Sequence, residues 1–115
     1  MKNLKKFSGE LGFDFEVSQQ DWGIENADPK RVVEFISYYE SFEKLTEKES
    51  GDLAQLIFQS AEERLQENYD EAVRTKVLNF IQAHNSEFPL EFGYWKSLDP
   101  KVWTISSLIN ESKNV

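Results

Sequence analysis

Residues 28–65 read DPKRVVEFISYYESFEKLTEKESGDLAQLIFQSAEERL, and this stretch decides the fold because it holds two consecutive helical patterns, each with its own start signal. Asp28-Pro29 sets an N-cap carboxylate before a proline suited to a first helical turn, where a missing N–H costs nothing. Val32, Val33, Phe35, Ile36, Tyr39 and Phe42 then return at the i, i+3, i+4, i+7 spacing of one face, which predicts a helix over 29–44. A second start follows at Thr46, where Glu49 three residues on completes a capping box. Leu53, Leu56, Ile57, Ala61 and Leu65 supply the stripe of a helix over 47–67. Residues 44–46 are the short connector expected between antiparallel neighbours, so the pair reads as a helical hairpin. Gly51 falls in the opening turns of the second helix, where its propensity cost of roughly 1 kcal/mol is best tolerated.

Downstream, Asp70 is placed to cap a third helix reaching His84 through Ala72, Val73, Val77, Leu78, Phe80 and Ile81, and Asn85-Ser86 ends it in turn-forming residues. Phe88 to Trp95 packs five large apolar side chains into eight positions, interrupted by Pro89 and Gly93, which predicts a short turn or a single helical turn, largely buried, rather than a long helix. Asp99-Pro100 repeats the earlier start signal, and Val102, Trp103, Ile105, Leu108 and Ile109 predict a last short helix before a polar tail over 110–115. The two Asp-Pro pairs share no flanking period, so a solenoid of equal repeats is not supported.

Upstream, Phe13-Asp14-Phe15-Glu16-Val17 alternates apolar and acidic residues as a half-buried strand does, but no second strand pattern offers it a ladder. Residues 1–27 therefore read as an irregular extended arm, punctuated by Gly9, Gly12 and Gly23, that lays Phe13, Phe15, Val17, Trp22 and Ile24 onto the helices. The expectation is one all-α domain over 1–115: three main amphipathic helices, a short C-terminal helix and this arm. Its core is expected to include Val32, Phe35, Ile36, Leu53, Ile57, Val77, Phe80, Ile81, Trp95 and Trp103.

The totals fit that picture. A chain of 115 residues is long enough for one core, and 14% aromatic residues is too rich for intrinsic disorder. The basic start Met1-Lys2-Asn3-Leu4-Lys5-Lys6 resembles the opening of a signal peptide, but Ser8, Gly9, Glu10, Gly12 and Asp14 break the apolar run that should follow. No window approaches the roughly 20 apolar residues that cross a bilayer. With no cysteine, these features predict a soluble, cytoplasmic protein without disulfides or thiolate metal sites. A net charge of -8 opposes nucleic acid and anionic membranes and favours a basic protein partner. The sign is uneven: Glu10, Asp14, Glu16, Asp21, Glu25 and Asp28 are six acids in a stretch without a base. Such a surface also serves solubility alone.

Motifs of chemistry are scarce. His84 is the sole histidine, which removes paired imidazole ligands, and as the last residue of the third helix it suits the negative helix end. Ser86 and Ser60 are candidate nucleophiles by residue type alone, with no Gly-x-Ser-x-Gly elbow around either. Among 21 carboxylates some pairs fall together by chance, so Glu62-Glu63 and Asp70-Glu71 say little about acid–base or metal chemistry. No calcium loop, phosphate loop or dinucleotide fingerprint is present. The residues point away from an enzyme and name no cofactor.

Tyr38 and Tyr39 are adjacent, and helical neighbours differ by about 100 degrees, so both cannot centre on one stripe. Phe58 beside Leu56 and Ile57 poses the same question. Either these aromatics are exposed as an interaction surface, or the arm and the Phe88 to Trp95 segment cover them. On the first alternative, Glu34, Tyr38, Glu62, Glu63 and Glu67 form the partner-binding face, with the charges accelerating encounter and the tyrosine supplying about 2 kcal/mol of affinity.

Asp21-Trp22-Gly23-Ile24-Glu25-Asn26-Ala27-Asp28-Pro29-Lys30-Arg31-Val32 leads into Phe35-Ile36 and Tyr39, and Tyr94-Trp95-Lys96-Ser97-Leu98 lies near the end. With these features, and in size, acidity and helix order, the chain resembles the small acidic all-helical proteins of bacteria, some of which are immunity partners of toxins. The resemblance implies a stoichiometric inhibitor that blocks a basic toxin. Two other classes stay open: a structural or oligomerising helical domain, and a small-ligand binder or hydrolase.

Overall fold

The computed structural model describes residues 2–15 and 21–112, and every regular element in them is helical. In chain order these are α1 (Lys2–Leu11), α2 (Trp22–Glu25), α3 (Val32–Glu40), α4 (Glu47–Glu67), α5 (Glu71–His84), α6 (Pro89–Lys96) and α7 (Thr104–Ser112). Single 3-10 turns lie at Pro29–Arg31 and Asn85–Glu87. The all-α expectation holds, while the tally of three main helices, a short one and an arm does not.

Where local chemistry sets an end, sequence and structure agree. The Thr46 hydroxyl accepts from the Glu49 N–H at 3.1 Å and the Glu49 carboxylate accepts from the Thr46 N–H at 2.8 Å, so two orphan donors at the start of α4 are satisfied reciprocally. The Asp70 carboxylate accepts from Ala72 and Val73, starting α5 at the expected residue.

Helix α4 is the axis on which the rest is laid, and α2, α3, α5, α6 and α7 all pack against it. Its burial shows why. Leu56, Ile57 and Phe58 are consecutive and all buried, which covers about 200 degrees of a helix. One neighbour cannot cover that arc. Phe58 is closed in by Phe80 of α5, by Phe88 and by Trp95 of α6, with ring centroids 5.6–6.1 Å apart. On another side the short α2 presses its backbone onto α4. A Cβ at Gly23 would lie 2.7 Å from the backbone nitrogen of Leu56, and the Gly23 N–H donates to the Gln55 side chain at 3.2 Å. Only glycine permits that approach.

The N-terminal reading needs correction. The described part of 1–27 is not an irregular arm throughout, because Leu4, Phe7 and Leu11 are the buried stripe of the ten-residue α1. Gly12 at φ +80° is the left-handed residue that ends it, and the Phe13 N–H reaches back to the Ser8 carbonyl at 2.7 Å. The glycine read as loop punctuation is a helix stop. Phe13 and Phe15 do pack on the core and Trp22 is buried, its indole donating to the Ser8 hydroxyl at 2.8 Å, but Ile24 is exposed. Glu16 and Val17 lie outside the described residues, as does 113–115 of the expected polar tail.

Three further expectations shift. The first helix, expected over 29–44, is a 3-10 turn followed by α3 ending at Glu40. Val33 faces outward, and Phe42 packs on the core from beyond the helix end. Phe88 to Trp95 is not a single turn: Pro89 takes the first position of the eight-residue α6, where its missing N–H is harmless. Of its five large apolar residues only Phe88 and Trp95 are buried, while Leu90 is 83% and Tyr94 58% exposed. Finally, Asp99-Pro100 opens a turn rather than a helix. The Asp99 carbonyl accepts from Val102 and Trp103, and the last helix begins at Thr104. Trp103, expected in the core, is therefore 37% exposed at its edge, with its ring against Trp95. The other nine expected core residues are buried.

Candidate functional site

The five residues expected to face a partner differ in burial and in bonding. Glu34 is exposed but held by Arg31 through two bonds of 2.9 and 2.6 Å, and the guanidinium keeps its carboxyl below the ordinary range. Tyr38 is half-buried, with its ring edge-on to Phe7 and Phe42 and its hydroxyl donating to Glu10 of α1. Burial, then the nearby carboxylate, pushes its phenol up. Glu63 is partly buried and accepts from Gln59 at 3.2 Å, while Glu67 one turn on is exposed.

Glu62 is the exception to an outward acidic face. It is 3% exposed, and its carboxylate accepts from the Ile105 N–H at 2.8 Å and the Thr104 N–H at 3.0 Å. A side chain from the middle of α4 thus caps the start of α7, where orphan N–H groups and the positive helix end favour an anion. Gln66 braces the same carboxylate at 2.6 Å and donates to the Val102 carbonyl at 3.0 Å. The condition that Glu62 face solvent fails for this reason.

A second polar cluster was visible in the sequence only as a lone histidine. His84 does end α5, but its ring is bracketed by carboxylates: Nε2 lies 2.9 Å from Glu40 Oε2 of α3, and Nδ1 lies 3.0 Å from Glu87 Oε2. The Tyr39 hydroxyl donates to the other oxygen of Glu87 at 2.7 Å. The ring also lies against Tyr39 and Phe80. Carboxylates at both nitrogens are matched by an imidazolium, which has two N–H donors. Burial opposes that charge, but the bonds and charges of Glu87 and Glu40 outweigh it, so the His84 pKa stands above its ordinary 6.5. The Glu87 carboxyl stands below 4.5: burial opposes its charge, and Tyr39 and His84 override that. Glu43 and Lys44 line the same depression of about 300 Å³.

These shifts set a pH dependence. A raised imidazole contributes stability that is complete below 6.5 and is lost as pH rises through the folded value; a lowered carboxyl contributes above 4.5 and loses its share as pH falls through its own folded value. The stability difference between the protein and His84→Gln is therefore expected to be greatest between those two values and to shrink toward pH 8. Urea titrations of both proteins across that range check it, and a difference that grows with pH would contradict the charged bracket.

The third feature is a cleft of about 240 Å³ between the first turns of α4 and the start of α6, lined by Glu47, Lys48, Gly51, Asp52, Gln55, Phe88, Leu90 and Glu91. Phe88 and Leu90 give it apolar walls. Glu91 accepts from the Trp95 indole at 2.7 Å and makes no ion pair among the described residues. Burial pushes its carboxyl up, the indole bond opposes that, and Asp52 adds to it. Asp52 is paired with the exposed Lys48 at 2.8 Å. Leu90 and Tyr94, one turn apart on α6, form an exposed apolar stripe along the rim. Sequence reasoning missed this place by treating Pro89 as a breaker, although proline at a first helical position is the signal that finds α6.

Among the described residues no group of three or more His, Asp or Glu side chains is placed to hold a metal ion, and no helix is long and apolar enough to cross a membrane. Comparisons with protein-family models, with curated proteins and with solved structures found no match for this chain.

Proposed function

We propose that this chain is a non-catalytic interaction domain that binds a basic protein, and, more narrowly, an immunity-type inhibitor that covers a basic toxin. The observation that carries the reading is the state of the charges. All three arginines are paired within the chain, Arg31 with Glu34, Arg64 with Asp70 and Arg74 with Glu111. Glu25, Glu43, Glu47 and Glu67 are exposed and make no ion pair among the described residues. The surplus carried by the net charge of -8 thus stands on carboxylates that attract a basic surface over roughly one Debye length.

The test is association kinetics with a partner identified by cross-linking. The rate constant is expected to fall steeply between low and physiological salt, and further when Glu63 and Glu67 become lysine. For the narrower reading, co-expression should relieve the partner's toxicity. A partner of acidic charge, or a rate indifferent to salt, would sink the proposal.

A second reading is favoured by one observation: Leu90, Tyr94, Val102 and Trp103 are large apolar residues left exposed on α6 and the turn after it. A self-associating domain would bury them against a second copy. Sedimentation across a hundredfold range of concentration separates the two, since only self-association shifts the mass of the chain alone.

A further inference from the structure

We propose that the cleft between α4 and α6 takes an arginine side chain of a basic partner protein, with a neighbouring apolar residue of that partner laid on Leu90 and Tyr94. The inference rests on the basic-partner reading and gives it a place.

Helix α6 is the only described helix of the C-terminal half whose large apolar residues point both ways. Trp95 goes into the core beside Phe58, as does Phe88 just before the helix, while Leu90 and Tyr94 stay exposed, the Tyr94 ring edge-on to Trp95. An exposed leucine and tyrosine one turn apart make a docking stripe, and tyrosine is a frequent anchor in interfaces. What distinguishes this stripe is its neighbour, since Leu90 is also a wall of the cleft. A segment lying along α6 that covers Leu90 therefore has a second pocket within one side chain's reach.

The charge of the cleft says what fits there. Its ionisable lining is Glu47, Asp52 and Glu91 against a single Lys48, and that lysine is an exposed side chain tied to Asp52. Glu91 is half-buried, fixed by the Trp95 indole on one oxygen and without an ion pair among the described residues. Arginine suits such a place better than lysine. Its stem runs along apolar walls such as Phe88 and Leu90, its guanidinium sheds water more readily than an ammonium does, and its fork can bond two carboxylates at once. Gly51 keeps the wall low, since a Cβ there would meet nothing within 4 Å.

The test is a titration followed by amide and indole proton–nitrogen NMR, with N-acetyl-leucyl-arginine amide as the probe and the citrulline analogue as its uncharged match. Saturable shifts are expected at Gly51, Asp52, Gln55, Glu91 and the Trp95 indole, with the citrulline compound binding at least fivefold more weakly. Glu91→Gln should weaken the arginine probe about tenfold. Gly51→Leu, whose Cβ meets nothing within 4 Å and whose longer side chain occupies cleft space, should abolish binding while urea unfolding shows the variant folded. Equal binding of the two compounds, no shift in the cleft, or binding unchanged in Gly51→Leu would each overturn the assignment. Saturable shifts centred on other carboxylates would remove the cleft and leave the basic-partner reading standing. That reading is lost separately, when a cross-linked partner associates at a rate that salt does not change.

Discussion

Replacing Phe58 with alanine is expected to cost about 3–5 kcal/mol of folding stability, the range for truncating a fully enclosed aromatic ring. Phe58 has no exposed surface, and its ring touches Phe80, Phe88 and Trp95, so one side chain of α4 meets α5, the segment before α6, and α6 itself. Its removal leaves a hole bounded by three large rings, and rings of that size cannot all move inward without leaving their rotamers. The edge-on contacts add about 0.5–1.5 kcal/mol per pair beyond burial, which places the loss toward the upper end. Phe58→Leu keeps most of the volume and should cost far less. Urea titration reads both variants through their midpoints at unchanged slope. A loss under 1 kcal/mol for alanine would mean that α5 and α6 do not close over α4 as described.

The second large effect is expected at Glu62. Glu62→Ala strips the acceptor from the N–H groups of Thr104 and Ile105. Each orphaned group costs about 1–3 kcal/mol, so a loss of roughly 3 kcal/mol is expected. Glu62→Gln keeps an acceptor but not the charge that suits a helix start, and should fall about midway. The distinguishing measurement is hydrogen exchange. In Glu62→Ala the amides of Thr104 to Ser106 should exchange markedly faster than those of α5, whereas a merely surface glutamate would leave both sets alike.

What was legible in the sequence follows from how far each signal has to reach. Thr46 with Glu49, and Asp70 with the two N–H groups beyond it, are settled within one turn, so α4 and α5 begin where the residues say. Tyr39, Phe35 and Ile36 needed only a period. Helix α1 is legible in Leu4, Phe7 and Leu11, but a glycine at position 12 suits a loop and a helix stop alike, and its positive φ decides for the stop. Trp103 lies outside the last helix because that helix starts at Thr104, where Glu62 accepts from its first N–H groups, and no local pattern carries a cap supplied from 42 residues away. Within the partner-facing set, the solvent exposure expected of Glu62 was illegible for the same reason. Glu34, Tyr38, Glu63 and Glu67 differ in burial and in bonding, and a glutamate in an acidic run looks identical whether it faces water or another helix. The cleft beside Glu91 joins two segments nearly 40 residues apart, so only the packing assembles it.

The burial around α4 has a consequence for how the molecule comes apart. Because α2, α3, α5, α6 and α7 all rest on one helix, no boundary divides the chain into halves that each keep a core. Detaching any of them uncovers leucine, isoleucine or phenylalanine on α4, and the outer helices are further tied to one another, α3 to α5 and α7 to both α5 and α6. Opening is therefore cooperative: the amide protons of residues 53–62 wait for whole-molecule unfolding, and a proteolytic nick in the 41–46 loop leaves two pieces that stay together or lose structure together.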